Sequence, residues 1–237
     1  VGDDGFGEYI FNRLEGEGVR TNYVSTIANK PTSVIFVSRS ESTPEFIPFR
    51  EADSIISESQ IPTELLQRTR IFHTTSFALS KEPAQSTILK KAEEAFNIGC
   101  KLSIDYNYSS KIWSSKTKAL EVIKTYCKFN PLVKISEDDM FRLFDAHLPH
   151  EEIFNFFHEE GVDTVCLTLG SKGVKLSQKE EAIIELPAIK IEKVMDSTGA
   201  GDAFWSGFLF AYTQKKSMRA CLDVALKLAA LKLQNVG

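Results

Sequence analysis

The sequence predicts an α/β fold, with a central, mostly parallel β-sheet flanked by helices and a small separate β-hairpin. Three observations carry this. From about residue 61 onward, short apolar runs alternate with longer amphipathic stretches, the pattern of βαβ units whose parallel strands lie under helices. Ahead of them, two short β-prone runs flank a turn. The 237 residues, 43% apolar and 25% charged, have ordinary globular composition. A chain of this size in one domain buries roughly 70–75% of its unfolded surface, which requires neither disulfides nor a structural metal.

The elements follow in order. Phe6, Ile10 and Leu14 recur every four residues, a helical face, and Gly16 and Gly18 close that helix. Residues 33–38 read as a strand, Glu41-Ser42-Thr43-Pro44 as a turn and 45–49 as a second strand, which Pro48 places at an edge. A strand at 70–73 precedes a helix over 82–98, one at 102–105 precedes a helix over 115–127, and one at 132–135 precedes a helix opened by Ser136. A strand follows at 164–168, then a second hairpin from 173–177 and 182–185. Helices over 200–213 and 217–233 finish the chain. Phe154, Phe156 and Phe157 have helical spacing that fits core packing.

Charge narrows the partners. Lys plus Arg number 28 against 32 Asp plus Glu, a net charge of −4, so the basic field of a nucleic-acid binder is missing. The longest apolar runs are strand-length, well short of the ~20 residues of a membrane span, and no secretory signal opens the chain. Cys100, Cys127, Cys166 and Cys221 stand singly in apolar stretches, without the paired spacing of a zinc site, which favours reduced thiols and a cytoplasmic location. The chain opens on Val1 and stops directly after an apolar helix, so both ends look cut.

The chemistry concentrates in Asp196-Ser197-Thr198-Gly199-Ala200-Gly201-Asp202, immediately before a helical pattern. Small residues there let backbone amides at a helix start approach an anion, and the helix dipole adds roughly half a positive charge. Asp202 falls in the first turn, where a carboxylate stays ionised and can accept a proton from a hydroxyl. The plainer reading is a capped helix with a tight glycine loop. The stretch is neither a dinucleotide fingerprint, since Phe204 occupies the third glycine position, nor a Walker A loop. His147 and His150 flank Pro149, which breaks the helix that would align them on a metal. His73 closes a strand ahead of Thr74-Thr75-Ser76, as a core histidine or one approaching the ligand.

The motif DSTGAGD resembles the second signature of the ribokinase-like (PfkB) carbohydrate kinases, and other segments fall in that family's order. Val1-Gly2-Asp3-Asp4 with Phe6-Gly7 resembles VGDDxFG; Asp105-Tyr106-Asn107 and Trp113 are similar to the D-x-N and L-W of fructokinases and 2-keto-3-deoxygluconate kinases; 168–173 resembles T-L-G-x-x-G. The resemblance implies a ribokinase-like fold over essentially the whole chain, with 1–32 and 51–237 as the kinase core and the hairpin 33–50 as a lid over the sugar. It implies ATP-dependent phosphoryl transfer to a hydroxyl of a sugar or sugar acid. Asp202 is then the general base, and Gly199, Ala200 and Gly201 form the anion hole. Thr168, Gly170, Lys172, Gly173 and Ser136 lie toward ATP, while Arg50 and Asn107 lie toward the substrate. Asp139 and Asp196 serve Mg2+, with a monovalent cation as an optional addition. The lid also serves as a homodimer contact in such kinases.

Departures from the pattern are specific. Ser136 and Asp139 stand where the family's N-x-x-E motif has Asn and Glu, and a helix cap with an acidic first turn accounts for them equally well. Ser109 stands where an arginine is common, with Lys111 nearby. The family's first strand and Gly-Gly motif would precede Val1. A nucleoside or vitamin kinase on the same fold, or a catalytically weak sugar-binding or regulatory homologue, are the alternative functions.

Overall fold

The computed structural model describes residues 1–38 and 45–235. The expected turn at 41–44 and the last two residues lie outside them.

Helix α1 (Gly5–Gly16) is followed by the antiparallel pair β1 (Val34–Ser38) and β2 (Glu45–Phe49), in which Pro48 lies opposite Ile35. The remaining elements are α2 (Thr63–Leu66), β3 (Ile71–Thr75), α3 (Ala84–Asn97), β4 (Lys101–Tyr106), α4 (Lys116–Cys127), β5 (Leu132–Ser136), α5 (Glu137–Phe144), α6 (His150–Glu159), β6 (Thr164–Thr168), β7 (Val174–Gln178), β8 (Ile184–Leu186), α7 (Ala200–Thr213) and α8 (Met218–Leu233). Among the described residues, strands β3 to β8 form one sheet in sequence order. The pairs from β3 to β6 are parallel, and β7 and β8 return antiparallel. The α/β class and the expected mostly parallel sheet are therefore what the chain adopts.

The strand period of two decides which helices cover which face. Leu102, Ile104 and Tyr106 on β4 and Val133 and Ile135 on β5 pack with Ile88, Ile123, Met140 and Phe157 of the helices from α3 to α6. The other face carries Leu132, Cys166, Val174 and Leu176 against Trp205 and Phe208 of α7 and Cys221, Leu222 and Ala225 of α8. Burying Trp205 and Phe208 contributes roughly 2–3 kcal/mol each. Helices α7 and α8 cross closely because Gly207 has no side chain: a Cβ there would lie 3.0 Å from Ala225 Cα. The four cysteines are buried and free, and no helix among the described residues is long and apolar enough to cross a membrane.

Helix α1 forms over Gly5–Gly16, where its spacing places it. Its spacing is helical, yet Phe6 is exposed and Gly7 is its buried residue. The opening motif is instead a backbone knot. Asp4 caps the helix, its Oδ1 accepting from the Phe6 (3.1 Å) and Gly7 (2.9 Å) amides and its Oδ2 from the Thr32 amide at 2.6 Å. The Thr32 hydroxyl accepts from the Gly2 amide at 2.9 Å. A Cβ at Gly2 or Gly7 would collide with the backbone of this knot.

The Thr32 amide first, then those of Gly7 and Phe6, hold the Asp4 carboxyl below the usual carboxylate value. A depressed folded-state pKa stabilises the fold above the unfolded value of 3.8, and that contribution is lost as pH falls through the lower folded value. Asp4→Asn is expected to melt below the wild type at pH 7, with the gap closing in strong acid. A gap independent of pH in thermal melts would count against this role.

Candidate active site

Strands β4, β5 and β6 are parallel, and their C-terminal ends and the start of α7 meet at one edge of the sheet, where open α/β folds bind ligands. Gly199 is the α7 N-cap in the left-handed conformation, φ +76°, which favours glycine. The Ala200 amide bonds the Ser197 carbonyl at 3.2 Å. The next amides, of Gly201 and Asp202, belong to the first helical turn, where no carbonyl of the helix is available to accept them. Asp202 is exposed in that turn, beside them. Asp196 closes the turn ahead of the helix: its Oδ1 accepts from the Thr198 amide at 2.9 Å, and Lys232 Nζ lies 3.8 Å from its Oδ2.

Below these glycines the sheet presents two buried charges. Asp105 and Lys134 are register partners on β4 and β5, and Lys134 Nζ donates to both Asp105 oxygens at 2.8 Å. Their side chains are 3% and 8% exposed. A Cβ added at Gly201 would lie 3.0 Å from Lys134 Nζ, so the glycine gives the ammonium its room. Burial pushes the Asp105 carboxyl up to about 6 against the pull of Lys134, and the Asp139 and Asp202 charges push the same way.

Next along this face, Trp205 Nε1 donates to Ser103 Oγ at 2.9 Å, and that hydroxyl meets His73 Nδ1 at 3.1 Å. Burial lowers the His73 pKa, Asp202 opposes this and Lys134 adds to it. His73 is thus both hydrogen-bonded within the fold and within electrostatic reach of Asp202.

Ser136 caps α5 by accepting from the Asp139 amide at 3.1 Å, and its hydroxyl donates to Asp139 Oδ2. Asp139 Oδ1 accepts from the Tyr108 amide at 3.1 Å, with Arg142 at 3.4 Å. Burial raises the Asp139 pKa against these bonds. Ser136 therefore caps a helix and also holds the carboxylate that fixes the chain after Asn107. Asn107 is fastened in turn: its amide donates to Ser76 Oγ at 3.1 Å, and its carbonyl accepts from that hydroxyl at 2.7 Å.

Thr168 is the register partner of Ser136, and its hydroxyl donates to the Ile135 carbonyl at 3.3 Å. The tight turn after it has Gly170 at φ +58° and Gly173 at φ +112°. Lys172, on this turn, reaches Glu137 at 3.6 Å, and Glu137 also meets His150 at 2.7 Å. His147 stacks on Phe141, so neither histidine is placed as a metal ligand. Among the described residues no three His, Cys, Asp or Glu side chains form a ready cluster.

Arg50 roots the hairpin. Its guanidinium meets Asp53 at 2.6 Å, donates to the Phe77 carbonyl at 3.0 Å and to Ser80, and stacks on the Phe77 ring. Phe77 follows Ser76, which bonds Asn107, so Arg50 stands one contact away from Asn107. Lys134 escaped the sequence reading, which took 132–135 as an apolar strand. The signal was there: a lysine two residues before Ser136 on a strand flanked by buried neighbours must face the same side as Ser136.

Comparison with known proteins gives the family and the fold. The pattern of the pfkB family carbohydrate kinase matches residues 1–237. The chain is 33% identical over 237 residues to an ATP-dependent 6-phosphofructokinase of Thermoanaerobacterium thermosaccharolyticum, covering 100% of this chain and 72% of that protein. It is 29% identical over 211 residues to a probable fructokinase-5 of Arabidopsis thaliana, covering 88% of this chain and 64% of that one. The solved fructokinase of Halothermothrix orenii superposes with a TM-score of 0.84 at 31% identity, over 97% of this chain and 78% of that one. A putative ribokinase II of E. coli in complex with ATP and Mg2+ shares the fold, with a TM-score of 0.87 at 23% identity over 100% of this chain and 76% of that one. The chain thus spans part of each relative's length. Matched by the family pattern from end to end, and carrying the glycine turn and Asp202 at the strand edge, the chain belongs to the pfkB family of carbohydrate kinases.

Proposed function

We propose that this chain is the greater part of an ATP-dependent kinase that phosphorylates a hydroxyl of a sugar or sugar acid, in the manner of a fructokinase. The observation that carries the reading is the placement of Asp202 in the first turn of α7, on the glycine turn of Gly199, Ala200 and Gly201, where the Gly201 and Asp202 amides have no acceptor within the helix, at the C-terminal edge of the parallel strands. In phosphoryl transfer the transition state is loose, so positioning and charge stabilisation matter more than a strong base. An exposed aspartate suffices to take the proton of the acceptor hydroxyl, and the first-turn amides with the helix dipole hold the charge of the transferred group.

The remaining residues take roles around this pair. Thr168, Gly170, Lys172 and Gly173 border ATP, with Ser136 behind them. Asn107 and Arg50 stand on the sugar side, where Arg50 acts by rooting the lid. The Asp139 and Asp196 oxygens suit Mg2+, a hard cation that takes carboxylates and keeps much of its water. Both carboxylates are already hydrogen-bonded, so they fit a role in ordering the metal's waters better than one of enclosing it. Held there through its waters by Asp139 and Asp196, the ion would offset the negative charge of the phosphates. The lid and dimer roles of 33–50 find support in Ile35, Phe36, Ile47 and Phe49, apolar residues 47–61% exposed on a two-stranded hairpin, which a closed lid or a second copy would cover. Four free, buried cysteines suit a reducing compartment such as the cytoplasm.

The test is ADP release by the complete gene product over a panel of ketoses, sugar acids, phosphorylated ketoses and nucleosides. Release that depends on a sugar or sugar acid is expected. Sugar binding by calorimetry without turnover on any member would favour the binding homologue, and turnover of nucleosides alone would favour the nucleoside kinase.

A further inference from the structure

We infer that Lys134 is a positioning residue for phosphoryl transfer: gripped by both oxygens of Asp105, its ammonium braces Gly201 from the sheet side and sets the amides at the start of α7. The inference rests on the kinase reading given above. Three observations carry it. Lys134 Nζ is held at 2.8 Å by each Asp105 oxygen, so the ammonium is fixed in direction as well as place. Gly201, the middle of the first-turn amides, sits over it closely enough that even a methyl group would meet Nζ at 3.0 Å and Cε at 3.7 Å. Both side chains are buried on the face of the sheet that carries α7.

Energetics point the same way. A buried ion pair is seldom a net stabiliser, and an apolar pair of like volume serves a core as well or better. Here the pair lies directly beneath the glycine turn. A positive charge in that place adds to the field of the helix N-terminus on any anion above it, and low-dielectric surroundings strengthen that field. Asp105 meanwhile keeps the ammonium from swinging up to ligate the phosphate itself. Lys134 thus acts through Gly201 and the local field.

The experiment compares Lys134→Met with the double variant Lys134→Met/Asp105→Asn in the complete gene product. The single variant leaves an uncompensated carboxylate in the core and is expected to lower Tm and kcat together. In the double variant Tm is expected to recover, while kcat stays down by roughly 10- to 100-fold and KM for sugar and ATP moves by less than about threefold. A purely structural pair would regain activity along with stability, so a folded double variant with wild-type kcat overturns the inference. If the double variant does not fold, Asp105→Asn alone decides: it removes one of the two acceptors with no change of volume, and wild-type kcat in that variant overturns the inference equally. The unaltered protein separates the two levels. Failure of the unaltered protein to release ADP with any sugar or sugar acid sinks the kinase reading itself, whereas such release by the unaltered protein beside a fully active double variant sinks only the role of Lys134.

Discussion

Replacing Asp202 with Asn is expected to lower kcat for sugar-dependent ADP release by at least ~100-fold while leaving the fold intact. The two side chains have the same shape, and the amide oxygen still sits in the first turn of α7. What disappears is the capacity to accept the hydroxyl proton. Asp202 is exposed, and among the described residues its side chain makes no hydrogen bond, so Tm is expected to change little. KM for the sugar is expected to stay within about threefold, because the loss falls on the transition state rather than on binding. Steady-state kinetics beside a thermal melt check both halves. Near-wild-type turnover in a folded variant would remove Asp202 from the role of base.

The largest stability effect is expected at Gly173. Its φ of +112° lies where side chains are strained, and a Cβ there would run into the Leu186 carbonyl oxygen and come within 2.7 Å of the Ala188 nitrogen. Both obstacles are backbone, so no rotamer relieves them. The turn is closed by its own bonds, Leu169 N to Gly173 O at 2.8 Å and Gly173 N to Gly170 O at 3.2 Å, which resist a shift. Gly173→Ala is expected to cost about 2–4 kcal/mol, a Tm drop of roughly 5–15 °C for a chain of this size. Gly170→Ala is the internal control. It also has positive φ, at +58°, but open space around it, so it should cost about 1 kcal/mol. Equal melting of the two variants would show that the close approach to Leu186 does not matter.

Much of the fold was legible because its signals are local. Apolar runs of five or six residues separated by helix-length amphipathic stretches announce βαβ units, and Ser136 marks the start of its helix. The glycine turn and Asp202 were legible for the same reason: backbone conformation at 199–201 and the first turn of α7 depend on neighbours in sequence. The apolar spacing in α1 located the helix but not its covering, because periodicity reports a face and not what covers it. Phe6 lies on such a face and remains exposed.

The sequence by itself therefore determined the α/β class, the order of its strands and longer helices, the glycine turn and the aspartate beside it. All of these follow from residue type and short-range spacing. Only the tertiary structure decided that Asp105 and Lys134 form a buried pair, that this pair lies under Gly201, that Asp139 secures the backbone after Asn107, and that Arg50 is spent on Asp53 and Phe77. Each of these joins segments 27 or more residues apart, except Arg50 with Asp53. Strand register and helix docking set such distances, and no local propensity encodes either one.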